Sequence, residues 1–116
     1  QTFVDCTKTT EIRVSLVRIT TDMCRKFHTD IVDYRLLCTY KGIGTYFVAP
    51  ENTQQSIENT PKQEHIEQLL AGEAILFRGA MSATTDTPPL VHKSPPIAEK
   101  QQERLLLRID TNSNFF

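Results

Sequence analysis

Between Glu11 and Ile109 the chain returns repeatedly to runs of five to nine β-forming residues cut off by glycine, proline or polar stretches, and that rhythm admits few folds. Glu11 to Ile19 alternates, with Ile12, Val14 and Leu16 on one face and Arg13 and Ser15 on the other, as in a half-buried strand. Tyr34 to Lys41 sets Tyr34, Leu36, Cys38 and Tyr40 against Arg35, Leu37, Thr39 and Lys41. Apolar residues on both of its faces place it inside a sheet. Gly42-Ile43-Gly44 is a turn signal, and Thr45 to Ala49 beyond it reads as the second arm of a hairpin. Three further strands are expected at Glu73 to Arg78, Leu90 to Ser94 and Arg104 to Ile109, the last with Leu105, Leu107 and Ile109 on one face.

The intervening stretches read as connections. Gln1 to Thr10 is a short edge strand or arm, and Thr20 to Phe27 holds one capped helical turn. Pro50 to Pro61 and Ala80 to Pro89 are polar loops, and Pro95-Pro96 stops a strand. Lys62 to Leu70 carries a helical stripe, Ile66, Leu69 and Leu70, behind Pro61, which predicts one short helix closed by Ala71-Gly72. About seven strands and one helix fit an antiparallel double sheet or barrel better than an α/β plan.

His28-Thr29-Asp30 gives this frame a chemical purpose. In extended backbone both side chains leave the same face. His92, on a late strand, would complete two imidazoles and a carboxylate, the set associated with non-haem iron(II) and also able to hold zinc. A jelly-roll, or double-stranded β-helix, is the form in which an early H-x-D and a late histidine meet at a barrel mouth. Other roles compete for each residue. His92 beside Pro95-Pro96 can pin a turn, His65 fits a solvated helix position, and Arg35 can pair with Asp33, Glu73 or an acid on a neighbouring strand. Cys24 and Cys38 read as small buried hydrophobes, although Cys24, four residues before His28, would tilt the site toward zinc as a thiolate. Tyr40 and Tyr46 fit core or rim positions as readily as cofactor contacts.

Composition narrows the functional classes. The 116 residues make one domain spanning 1–116 with its core over about 11–110, and the absence of Met at Gln1 predicts a trimmed or partial chain. Thirteen Lys and Arg against fourteen Asp and Glu give no field that would attract nucleic acid or an anionic membrane. Three cysteines without a C-x-x-C spacing argue against a disulfide framework and for a cytoplasmic setting. No apolar run approaches the roughly 18 residues that span a bilayer.

Several blocks together carry a family resemblance: Cys24-x3-His28-x-Asp30, Arg35-Leu-Leu-Cys-Thr-Tyr-Lys-Gly42, Ala71-Gly72-Glu73, Leu90-Val-His-Lys-Ser-Pro-Pro96 and Arg104-Leu-Leu-Leu107. From about Ile12 to Asp110 the chain resembles the bacterial domain of unknown function 1826. That resemblance implies no biochemical activity, but it suggests a link to zinc homeostasis and to a zinc-handling GTPase. More distantly, the chain looks like the prolyl-hydroxylase-like 2-oxoglutarate and iron(II) dioxygenases. This second resemblance implies His28, Asp30 and His92 as iron(II) ligands. It makes Gly72 to Phe77 the third block, and Arg104 and Tyr40 the groups that bind the far carboxylate of 2-oxoglutarate, with Arg108 as the fallback for Arg104. Left open beside it are a non-catalytic zinc module and a wholly structural domain that holds no metal.

Overall fold

The structure, a computed structural model, describes residues 11–22, 26–52, 61–98 and 102–111. Among the described residues seven strands follow one another: β1 (Ile12–Ile19), β2 (Tyr34–Lys41), β3 (Tyr46–Val48), β4 (Ile66–Gln68), β5 (Ala74–Arg78), β6 (His92–Lys93) and β7 (Arg104–Thr111). They build two antiparallel sheets, one in the order β1-β7-β2-β5 and the other β4-β3-β6. Helix among the described residues is confined to short 3-10 turns such as Pro50–Asn52 and Gln63–His65. None of it is long and apolar enough to cross a membrane.

The pairing is nested. β3 pairs with β4, β2 with β5, His28 with His92 of β6, and β1 with β7. The chain is thus one long hairpin whose successive rungs belong alternately to the two sheets. Rolling it brings β2 against β7 and β3 against β6, which closes the structure.

Leu37, Phe77, Leu90, Ile97, Leu106 and Ile19 form the core, with Val17, Phe47 and Ile75 packed around it. Their register shows which face of each strand is inside. On β7 the inward residues are Arg104, Leu106 and Arg108, and on β2 they are Arg35, Leu37 and Thr39. The apolar half of β1 therefore lies outside: Val14 and Leu16 are 58% and 60% exposed, across from Ile109 and Leu107. Alternation located the strand, but two arginine-bearing strands occupy the interior, and the leucines are displaced to the outer surface.

Two local expectations are corrected. Lys62 to Leu70 is a 3-10 turn followed by β4, because Ile66, Glu67 and Gln68 pair with Val48, Phe47 and Tyr46. Leu70, the end of the supposed helical stripe, is exposed. The Gly42–Gly44 link also does not close a hairpin, since β2 and β3 lie in different sheets. Gly44 permits that crossing, for a Cβ there would run into the Leu69 carbonyl. At Gly72, φ of +89° supplies the left-handed turn between β4 and β5. The expected N-terminal arm lies outside the described residues, and the turn expected at Thr20 to Phe27 does so in part.

Ile97 is 1% exposed within the core. Replacing it by alanine should cost about 2–5 kcal/mol in urea unfolding. Leu70→Ala, on the surface, should stay within about 0.5 kcal/mol of wild type.

Candidate metal centre

His28 and His92 face each other across an antiparallel pair and exchange both backbone bonds, His28 N–H to the His92 carbonyl at 2.9 Å and His92 N–H to the His28 carbonyl at 3.0 Å. Directly opposed residues present their side chains on one face. Their ring centroids are accordingly 4.6 Å apart. Two residues on from His28, Asp30 joins the same side. Backbone periodicity and one rung of pairing therefore assemble three residues spread over 65 positions of sequence.

Both imidazoles are oriented in the same way. Nδ1 of His28 lies 2.8 Å from the Lys26 carbonyl, and Nδ1 of His92 lies 3.1 Å from that of Leu90. A carbonyl only accepts, so each Nδ1 carries a proton, and each Nε2 is left to turn inward. His28 Nε2 is 3.3 Å from one Asp30 oxygen and His92 Nε2 is 3.0 Å from the other. One ligand atom from each residue lies within 4.8 Å of the other two. A cation with bonds of about 2.0–2.2 Å to nitrogen and oxygen needs donors at roughly these separations.

Asp30 is anchored from several sides. Nη1 of Arg35 donates to it, while Nε and Nη2 of the same guanidinium fork onto Asp110, which is 4% exposed. Its backbone carbonyl accepts from Ala80 N–H at 2.8 Å, and a Cβ on neighbouring Gly79 would run into the Val32 carbonyl. Burial alone would push the Asp30 carboxyl up. Hydrogen bonds from His28 and His92, with the charges of His92 and Arg35, outweigh burial and hold it far below the usual carboxylate range. The Asp30 hydrogen bond in turn raises His28, against partial burial.

Beside this cluster lies a cavity of about 70 Å³ whose walls include Thr45, Leu106 and Arg108. A larger apolar cavity of about 340 Å³ is lined by Phe47, Phe77 and Leu90, and it adjoins the centre through Phe77, whose ring stands 5.1 Å from that of His92. The titratable groups converge on the smaller cavity.

The remaining candidates are placed as follows. Arg104 is 1% exposed and donates through Nη2 to the hydroxyls of Thr39 and Thr45, at 3.1 and 2.9 Å. Its Nε and Nη1 have no acceptor, and burial pushes its pKa down. Tyr40 is 56% exposed on the opposite face of β2, so the structure does not bring it to Arg104; Thr39 and Thr45 stand there instead. His65 lies in a 3-10 turn beside Glu64 and outside the cluster. Cys38 is buried with a free thiol, and Cys24 lies outside the described residues. Sequence reasoning named neither Thr39 nor Thr45 as a site residue, and it did not single out Asp110, which is the neighbouring-strand acid that pairs with Arg35. Continuing the alternation of β7 by one step would have put Asp110 on the face of Arg104 and Arg108.

A family model described as Protein of unknown function (DUF1826) matches residues 1–110. The chain belongs to that family. No curated protein and no solved structure matches it. For this DUF1826 member, then, functional argument rests on the residues themselves.

Linkage gives the metal-free DUF1826 chain a distinctive pH profile. Asp30 titrates far lower when folded, so its stabilisation is complete above its unfolded value of about 3.9 and is lost progressively as pH falls. His28 is raised on folding, so its contribution is complete below about 6.5 and is lost as pH rises through its folded value. Urea unfolding in chelator should show maximal stability between roughly pH 4 and 6.5. Asp30→Asn should flatten the acid limb, and an unchanged acid slope would assign that limb to other carboxylates.

Proposed function

We propose that this chain is a jelly-roll metalloprotein in which His28, Asp30 and His92 hold iron(II) and Arg104 receives 2-oxoglutarate, which makes it an oxygenase of the 2-oxoglutarate-dependent kind. The observation that carries the reading is the convergence of two imidazole Nε2 atoms on one carboxylate, with both Nδ1 atoms fixed to backbone carbonyls. Fixing the far nitrogen in this way sets the tautomer and ring angle a metal ligand needs. Two histidines and one carboxylate leave coordination positions for other ligands.

The fold reading is supported by the nested hairpin. Counting the His28 rung as a strand gives two sheets of four, β1-β7-β2-β5 and β4-β3-β6 with His28 at its edge. Eight antiparallel strands in two sheets are the jelly-roll plan.

Arg104 favours a keto acid cofactor over a purely structural ion. A guanidinium buried with two unpaired nitrogens is costly unless an anion completes it. Its fork geometry suits a carboxylate. Thr45 links it to the metal cavity, since that residue both bonds Arg104 and forms part of the cavity wall. When bound, iron with 2-oxoglutarate supplies oxidation of an unactivated bond by dioxygen. The protein's part is to hold the ligands, with Arg35 fixing Asp30 and Thr39 and Thr45 fixing Arg104.

Anaerobic titration of the iron(II) protein with 2-oxoglutarate should develop a visible charge-transfer band in wild type and none in His28→Ala. His92→Ala should stay folded and lose metal uptake. Full metal occupancy in His92→Ala would overturn the site. Stoichiometric zinc with no response to the keto acid would replace the oxygenase by a zinc-binding module. Arg104→Met should keep the metal and lose the keto acid, and should match or exceed wild-type stability by up to about 4 kcal/mol, because an uncompensated buried cation is gone.

A further inference from the structure

On the oxygenase reading, charge around the metal cavity does not close without one more anion. Asp30 and Asp110 balance Arg35 and Arg108. A divalent cation with Arg104 adds three positive charges, and a dianionic keto acid removes two. One positive charge remains.

Arg108 is the less closely paired of the two arginines in the cavity wall. Arg35 is held between two carboxylates, bonded to Asp30 and forked onto Asp110. Arg108 has only a 3.7 Å approach from Nε to the Asp110 oxygen that already accepts from Arg35 Nη2, and that Nε makes no hydrogen bond. Its side chain is nonetheless 37% exposed and forms part of the wall of the cavity that contains His28, Asp30 and His92. On β7 it lies four residues from Arg104, about 13 Å along the strand, with Leu106 between them on the same face. Two guanidinium groups thus stand apart along one inner face of β7. Arg104 meets the cavity through Thr45, and Arg108 forms part of its wall.

We propose that Arg108 is a specificity-determining residue that binds an oxyanion, a carboxylate or phosphate group, on the substrate, and so selects anionic substrates for this centre. The inference rests on the oxygenase reading above, in which Arg104 is occupied by the keto acid. Leu37, Leu106 and the hydroxyl-bearing Thr45 and Ser94 complete the cavity wall, so the cavity offers the substrate no other cationic group that is not already shared between carboxylates. A guanidinium fork matches two oxygens of either anion.

The test uses the whole chain and inorganic sulfate as probe. Iron(II) and then 2-oxoglutarate are loaded anaerobically and followed by their absorption, and sulfate is titrated by calorimetry into wild type, Arg108→Gln and Arg108→Lys. The expected result is sulfate binding in wild type, weakened about tenfold or more in Arg108→Gln. Arg108→Lys should recover part of the loss, and iron and 2-oxoglutarate affinities should be unchanged in all three. Equal sulfate binding by wild type and Arg108→Gln, or none by either, overturns the proposal while leaving the metal centre intact. A fall in 2-oxoglutarate affinity in Arg108→Gln also overturns it, by making Arg108 the cofactor clamp. If wild type takes up no iron, the oxygenase reading fails and this inference falls with it.

Discussion

Asp30 is the hub on which the interior depends. One carboxylate accepts from His28, His92 and Arg35, and through Arg35 it is tied to Asp110 on β7. That chain of charge crosses from the His28 rung in one sheet to the centre of the other. A buried ion network of this kind stabilises only when every member is satisfied. Removing the acid would leave a guanidinium and two imidazoles facing one another, so the group that ties the two sheets is the same one that joins the candidate ligands.

The arrangement explains an inversion in the four-stranded sheet. Ordinarily the more apolar face of β1 and β7 would turn inward. Here Leu16, Leu107, Ile109 and Leu36 share the outer surface, while Arg35, Arg104, Arg108 and Thr39 look in. The core is correspondingly small, and aromatic Phe77 bridges it to the His92 ring. Polar side chains thus take space between the sheets that packing alone would give to apolar ones.

Much of this was legible in the sequence. Period-two alternation gave β2 its full extent and placed β1, β5 and β7 to within a few residues. His28, Asp30 and His92 could be grouped because an H-x-D in extended backbone has one geometric reading and a late histidine completes it. What failed did so for definite reasons. The Ile66, Leu69, Leu70 stripe fits a helix equally well until the edge of β3 claims Ile66. Alternation also says which residues share a face but not which face is inside, so the outward positions of Val14, Leu16 and Tyr40 were invisible. Partners of Arg104 depended on a crossing between sheets at Gly44 that no local pattern encodes.

The order of the strands has a consequence for how such a chain is made. β7, the last of the seven to leave the ribosome, is inserted between β1 and β2, and until it arrives those two have no common neighbour. β1 must therefore wait, its inward Val17 and Ile19 wet, through the synthesis of some ninety residues before its partner exists. Long-range pairing of this sort folds slowly, and the waiting interval is when the nascent polypeptide is most exposed to aggregation.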